Sequence, residues 1–141
     1  MKRIINKIVL ILLIGLTTTG CSGAADYRIL LINDYYVAKT STKNVKIFKI
    51  GDKDITGNAP SIPIYHEGKE DEYEAESVVK VGQDDRYIIA KTNREAYYIL
   101  DTKEEQVMEF LSEDEFNLKK NELGISDDIN LKSLDEYEKV R

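Results

Sequence analysis

From residue 27 onward the apolar residues come in short runs rich in β-branched and aromatic side chains, broken every few residues by turn formers. Such a pattern predicts strands. Tyr27–Ile32 reads as the first, and Asn33-Asp34 as a tight turn, because both residues tolerate left-handed backbone. Tyr35–Thr40 and Val45–Ile50 follow across a polar loop over 41–44, so the three runs predict an antiparallel meander. Residues 51–60 (GDKDITGNAP) read as loop. Ser61–His66 reads as an extended segment at a sheet edge, since Pro63 has no N–H to give to a ladder. Residues 67–76 (EGKEDEYEAE) hold six acidic residues and one lysine, and read as a charged connection. Strands are then expected over Ser77–Val81, Arg86–Lys91, Tyr97–Leu100 and Gln106–Phe110, with turns at 82–85 and 92–95.

At residue 112 the period changes. Ser112 and Glu115 have the spacing of a capping box, and Leu111 and Phe116 that of a hydrophobic staple. Lys119 and Lys120 fall where the helix dipole favours positive charge, and Gly124 supplies a left-handed terminator. A helix over Glu113–Leu123 follows. Ser133 and Glu136 repeat the capping spacing and predict a short terminal helix over Leu134–Val140. The expected fold is α+β: an antiparallel β-sheet of about six to eight short strands with one or two C-terminal helices. It forms a single domain over 27–141.

The N-terminus follows a different logic. Lys2, Arg3 and Lys7 precede the apolar run Ile8–Leu16 (IVLILLIGL). Nine apolar residues are far short of the roughly 20 needed to cross a bilayer, but they suit the core of a secretory signal. Small residues then lead into Cys21, the one cysteine of the chain, and this arrangement resembles the lipobox of bacterial lipoproteins. The resemblance implies that residues 1–20 are a signal peptide removed at export. Cys21 would carry diacylglycerol and residues 21–26 would be a tether. The protein would then sit on the extracytoplasmic face of the cell membrane, palmitate or a similar acid being part of the anchor.

Composition sharpens this picture. The 141 residues carry a net charge of −6, and the first 20 hold three basic and no acidic residues. Without them the remainder stands at −9. A body this acidic is a poor partner for nucleic acid, where Lys and Arg must displace counterions. One cysteine cannot form an internal disulfide, so the exported domain must stand on its core alone. Its length is sufficient for that.

Four runs add a resemblance: DDRYIIAK (84–91), YYILD (97–101), LSEDEF (111–116) and KKNELGI (119–125). Together, after a lipobox, they resemble an uncharacterised family of small lipoproteins of Gram-positive bacteria, domain of unknown function family 3997. The similarity spans most of the mature chain and is strongest over 77–131. It implies a surface-anchored location, and it brings no activity or functional residue with it.

The residues nominate no reaction. Cys21 is taken by the anchor. His66, the one histidine, stands beside Glu67 in a loop, and no serine sits in a G-x-S-x-G elbow to pair with it. Zinc needs three or four ligands of the Cys, His or carboxylate type, and one His without a free Cys argues against a dedicated site. Asp52-x-Asp54-x-Thr56-Gly57 opens like an EF-hand loop, but Pro63 stands where its closing glutamate belongs, so a Gly/Asp turn is the preferred reading. The acidic run 67–76 offers oxygen ligands for a hard cation, although such runs are mostly solvated loops. No spacing singles out two carboxylates for a glycosidase pair. The tyrosines suggest a surface: Tyr35, Tyr36, Tyr65, Tyr97 and Tyr98 are candidates for contact, with one of each strand doublet turned outward. Cross-strand packing is the plainer role for them. The expectation is a non-enzymatic module, without metal or cofactor, that binds a protein or envelope component. The alternatives are an immunity or inhibitor lipoprotein against a toxin or hydrolase, and a small metal-assisted envelope hydrolase.

Overall fold

The computed structural model describes residues 26–41, 43–51 and 60–140. The signal segment, Cys21, most of the tether and the Asp52–Gly57 motif lie outside the described residues. The elements in chain order are β1 (Tyr27–Leu30), β2 (Tyr35–Ser41), β3 (Asn44–Lys49), α1 (Glu70–Ala75), β4 (Val78–Gln83), β5 (Tyr87–Thr92), β6 (Tyr97–Asp101), β7 (Gln106–Phe110), α2 (Glu113–Glu122) and β8 (Lys132–Ser133). A 3-10 turn over Leu134–Glu136 closes the series.

The strands divide between two antiparallel sheets, one in the order β1-β2-β3 and one in the order β7-β6-β5-β4-β8. The α+β expectation holds, and the division follows from the meander. Asn33 (φ 51°) and Asp34 (φ 66°) form the β1–β2 turn with two left-handed residues, the geometry whose twist matches a hairpin. Asn33 then donates to Thr102 Oγ1 at 2.7 Å, and Ile32 N donates to Gln83 Oε1 at 2.9 Å, tying the small sheet to the large one. Ile62 bridges Ile47 at the free side of β3, so the extended segment containing Pro63 lies at a sheet edge as predicted.

Alternation along each strand sets three layers. Ile29, Tyr35, Val37 and Ile47 of the small sheet meet Val81, Ile88, Ala90, Tyr98 and Leu100 of the large one. The opposite face of the large sheet presents Tyr87, Ile89, Tyr97 and Ile99 to Phe116 of α2 and to Ile125. With both faces covered, β6 is buried at every position.

Helix α2 begins where expected. Ser112 Oγ accepts from Glu115 N at 3.2 Å, and Gly124 (φ 68°) ends the helix with Ile125 N donating to the Lys120 carbonyl at 3.0 Å. This pairing is a Schellman close, completed by burial of Ile125. Leu111 does not clasp Phe116 but stays 81% exposed.

Two further expectations change. The connection 67–76 contains α1, whose acidic first turn (Glu70, Asp71, Glu72) suits the helix dipole. The terminal helix over Leu134–Val140 is reduced to one 3-10 turn, after which Tyr137 is extended. The reason is tertiary: Val140 exchanges backbone hydrogen bonds with Arg28 at the edge of β1, and Tyr137 donates to the Val81 carbonyl at 2.8 Å.

Candidate functional site

A cavity of about 380 Å³ opens between the 64–76 segment and the inner face of β6 and β7. Tyr98 forms its floor. Pairing places Tyr98 between Ala90 of β5 and Glu109 of β7. The Tyr98 hydroxyl lies 2.7 Å from Glu109 Oε1 and 3.0 Å from Glu76 Oε1. Thr92 Oγ1 donates to the same Glu76 oxygen at 2.6 Å. Burial, the Glu109 hydrogen bond and the nearby Glu76 charge hold Tyr98 as a phenol far above its ordinary pKa. Two carboxylates thus converge on a single hydroxyl proton, although together they offer several lone-pair sites. Glu76 is itself buried.

Glu76 is positioned through its backbone. Lys46 of β3 donates to the carbonyls of Tyr73 and Glu76 and stands 4.4 Å from the centre of the Tyr73 ring. Helix α1 has no basic residue in its own last turn, and Lys46 supplies that cation from another element. Desolvation lowers the Lys46 pKa to about 8, opposed by the charges of Glu76 and Glu74. Ser77, the next residue, accepts from Val45 N at 3.2 Å and donates to the Lys43 carbonyl at 2.6 Å. The start of β4 is thereby fixed against the edge of β3.

The opposite wall is Tyr73, packed edge-on against Tyr65 with ring centres 5.3 Å apart. Burial pushes the Tyr73 phenol up to about 12. Tyr65 donates to Glu70 at 3.2 Å, and Glu70 also accepts from Gly68 N at 3.1 Å, which folds the loop ahead of α1. Ile64, Ala96 and Leu111 add apolar surface, and His66, Lys69 and Arg94 bring cationic or titratable groups to the rim. Lys69 pairs loosely with Glu72 at 3.7 Å. Arg94 is exposed on the β5–β6 turn and has no ion-pair partner among the described residues.

The sequence-nominated tyrosines therefore separate. Tyr35 and Tyr36 divide as alternation predicts, Tyr35 into the core and Tyr36 half-buried on the outer face. Tyr97 and Tyr98 are both buried, because their strand is covered on both sides. Tyr65 is half-buried beside the cavity. Glu76 and Glu109 were not distinguishable among many acidic residues. The nearest signal was Tyr98 in a strand whose next partner, β7, carries Glu109 on the same face. Among the described residues, no three His, Cys, Asp or Glu side chains gather as a metal centre requires. No helix among them is long and apolar enough to cross a membrane.

No curated protein and no solved structure matches the chain. A family model does match, over residues 32–135, a span that begins after β1 and takes in β2 to β8, the cavity and α2. The chain belongs to the family described as Protein of unknown function (DUF3997).

Proposed function

We propose that this is a lipid-anchored extracytoplasmic binding module, without catalytic activity of its own, that captures a basic protein or envelope partner through the cavity beneath α1. The observation that carries the reading is the convergence of Glu76 and Glu109 on the one hydroxyl of Tyr98. Acceptors there outnumber donors, so a lysine or arginine side chain from a partner supplies the missing N–H groups and the missing charge. Arg94 at the rim offers the complementary contact to an acidic group of the same partner.

The charge of the segment that builds the cavity supports the same direction. Residues 60–140 hold 10 basic and 22 acidic residues, which steers a basic partner toward this half of the molecule. That feature also favours the narrower reading of an inhibitor or immunity lipoprotein, in which the basic partner is a toxin or hydrolase. Tight one-to-one binding that abolishes such an enzyme's activity distinguishes it from a scaffold.

The test uses a lysine-bearing peptide and its glutamine counterpart as probes, followed by NMR on the Tyr98 ring. The lysine peptide is expected to shift Tyr98, with an affinity that falls as salt rises. Glu109→Gln, which still accepts from Tyr98, should weaken binding about tenfold, the loss expected for one charge-assisted contact. Equal binding of the two peptides, or equal binding to parent and variant, overturns the reading.

A further inference from the structure

Among the described residues, no helix comparable to α2 packs on the outer face of the small sheet at its Leu30 side, while the Lys46 side of that face is buried against Tyr73 and Glu76 of the α1 segment. Cross-strand pairing puts Leu30, Tyr36 and Phe48 in one row on that face, and Arg28, Ala38 and Lys46 in the next, where Arg28 is exposed and Ala38 and Lys46 are buried. Val140 pairs with Arg28 and so shares the face. Leu30 is 59% exposed and Val140 49%, and Ile50, two residues beyond Phe48, is 55% exposed. These are three of the six large apolar side chains that stand exposed among the described residues. Arg28 lies over the Tyr36 ring at 5.4 Å, and Tyr36 packs against Phe48 at 6.2 Å. Aliphatic tips, two aromatic rings and a guanidinium together suit the boundary between lipid headgroups and acyl chains.

Charge separates along the chain in the same sense. Residues 26–51 carry Arg28, Lys39, Lys43, Lys46 and Lys49 against Asp26 and Asp34, a net of +3, whereas residues 60–140 stand at −12. Of the cations on the strands Arg28 is the one exposed on the outer face, Lys46 being buried and Lys39 and Lys49 standing at inner-face positions. The acidic body as a whole is repelled by an anionic surface, so an orientation that turns the small sheet toward that surface is selected.

The short tether adds the third argument. From Cys21 to Asp26 is five residues, which span at most about 18 Å. A domain of this size has a radius of gyration of about 14 Å, and its first strand is β1, within the face described. On the lipid-anchored reading given above, on which this inference rests, we infer that the outer face of the β1-β2-β3 sheet docks on the bilayer that holds the anchor. Leu30, Tyr36, Phe48 and Ile50 enter the interfacial region, Arg28 meets anionic headgroups, and the acidic cavity side is left pointing toward the aqueous space.

The experiment uses the full lipidated chain in vesicles of equal parts phosphatidylglycerol and phosphatidylcholine. In that protein the Cys21 sulfur is a thioether, so a nitroxide reacts only at an introduced cysteine. Leu30→Cys places it on the docking face, and Leu118→Cys places it on α2, in the opposite layer. Both native side chains are exposed, so both variants should fold. Relaxation by oxygen, which concentrates in lipid, is compared with relaxation by a water-soluble nickel chelate. The Leu30 position is expected to show an oxygen-to-nickel ratio several-fold above that of the Leu118 position, with the difference shrinking in phosphatidylcholine alone. Equal ratios in protein that floats with the vesicles overturn the docking and leave the anchor standing. A Leu30 label shielded from both reagents, or coupled to a second label, means that another protein surface or a second copy covers the face, and also overturns it. Protein that does not float removes the anchor reading, and this placement with it.

Discussion

Lys46 shows how one side chain ties distant segments together and leaves a titration signature. Its amine is buried over the Tyr73 ring and donates to two carbonyls at the end of α1. Its pKa falls from 10.5 to about 8, so between those values the unfolded chain binds a proton that the folded one has released. Stability from this residue therefore rises with pH across that window. The parent should gain on Lys46→Met between pH 8 and 10 in urea unfolding, and a constant difference would show that Lys46 is not desolvated in solution. Tyr73 acts with the opposite sign. Its phenol, raised by burial to about 12, contributes stability that is lost as pH rises from 10 to 12. At the far end of β6, the Arg86 hydrogen bonds hold the Asp101 carboxyl below its ordinary pKa. None of these partners is adjacent in sequence, so no local pattern could have named them.

Among the elements, α2 was the most legible because its signals are local. The cap, the basic last turn and the glycine close all lie within 13 residues of one another, and each acts on neighbouring backbone. Ser112→Ala should lower stability by about 1 kcal/mol, read from the midpoint of chemical unfolding. An unchanged midpoint would mean that Phe116 packing alone sets the helix start. The 134–140 segment carries a similar capping signal and still does not continue as a helix. The cap satisfies one turn, but Val140 and Tyr137 gain partners in β1 and β4 only if the chain extends. Helix α1 shows the converse. Six residues are too few to be stable alone, and the carbonyl end is completed by Lys46 of β3, so the acidic sequence by itself read as a loop.

For the whole molecule, the proposed arrangement is polar from end to end, with a basic sheet beside the anchor and an acidic cavity facing away. Cys21→Ala should abolish palmitate labelling and release the protein from membranes, and continued labelling would refute the anchor. Strand positions, the antiparallel class and the capped helix were legible in the sequence, because alternation, turn residues and caps act over a few residues. The partition into two sheets, the burial of both Tyr97 and Tyr98, and the meeting of Glu76 with Glu109 were decided by tertiary structure. Those features depend on which faces become covered and which strands become neighbours. That is a long-range choice, made by the burial of apolar surface across the two sheets, and no window of sequence contains it.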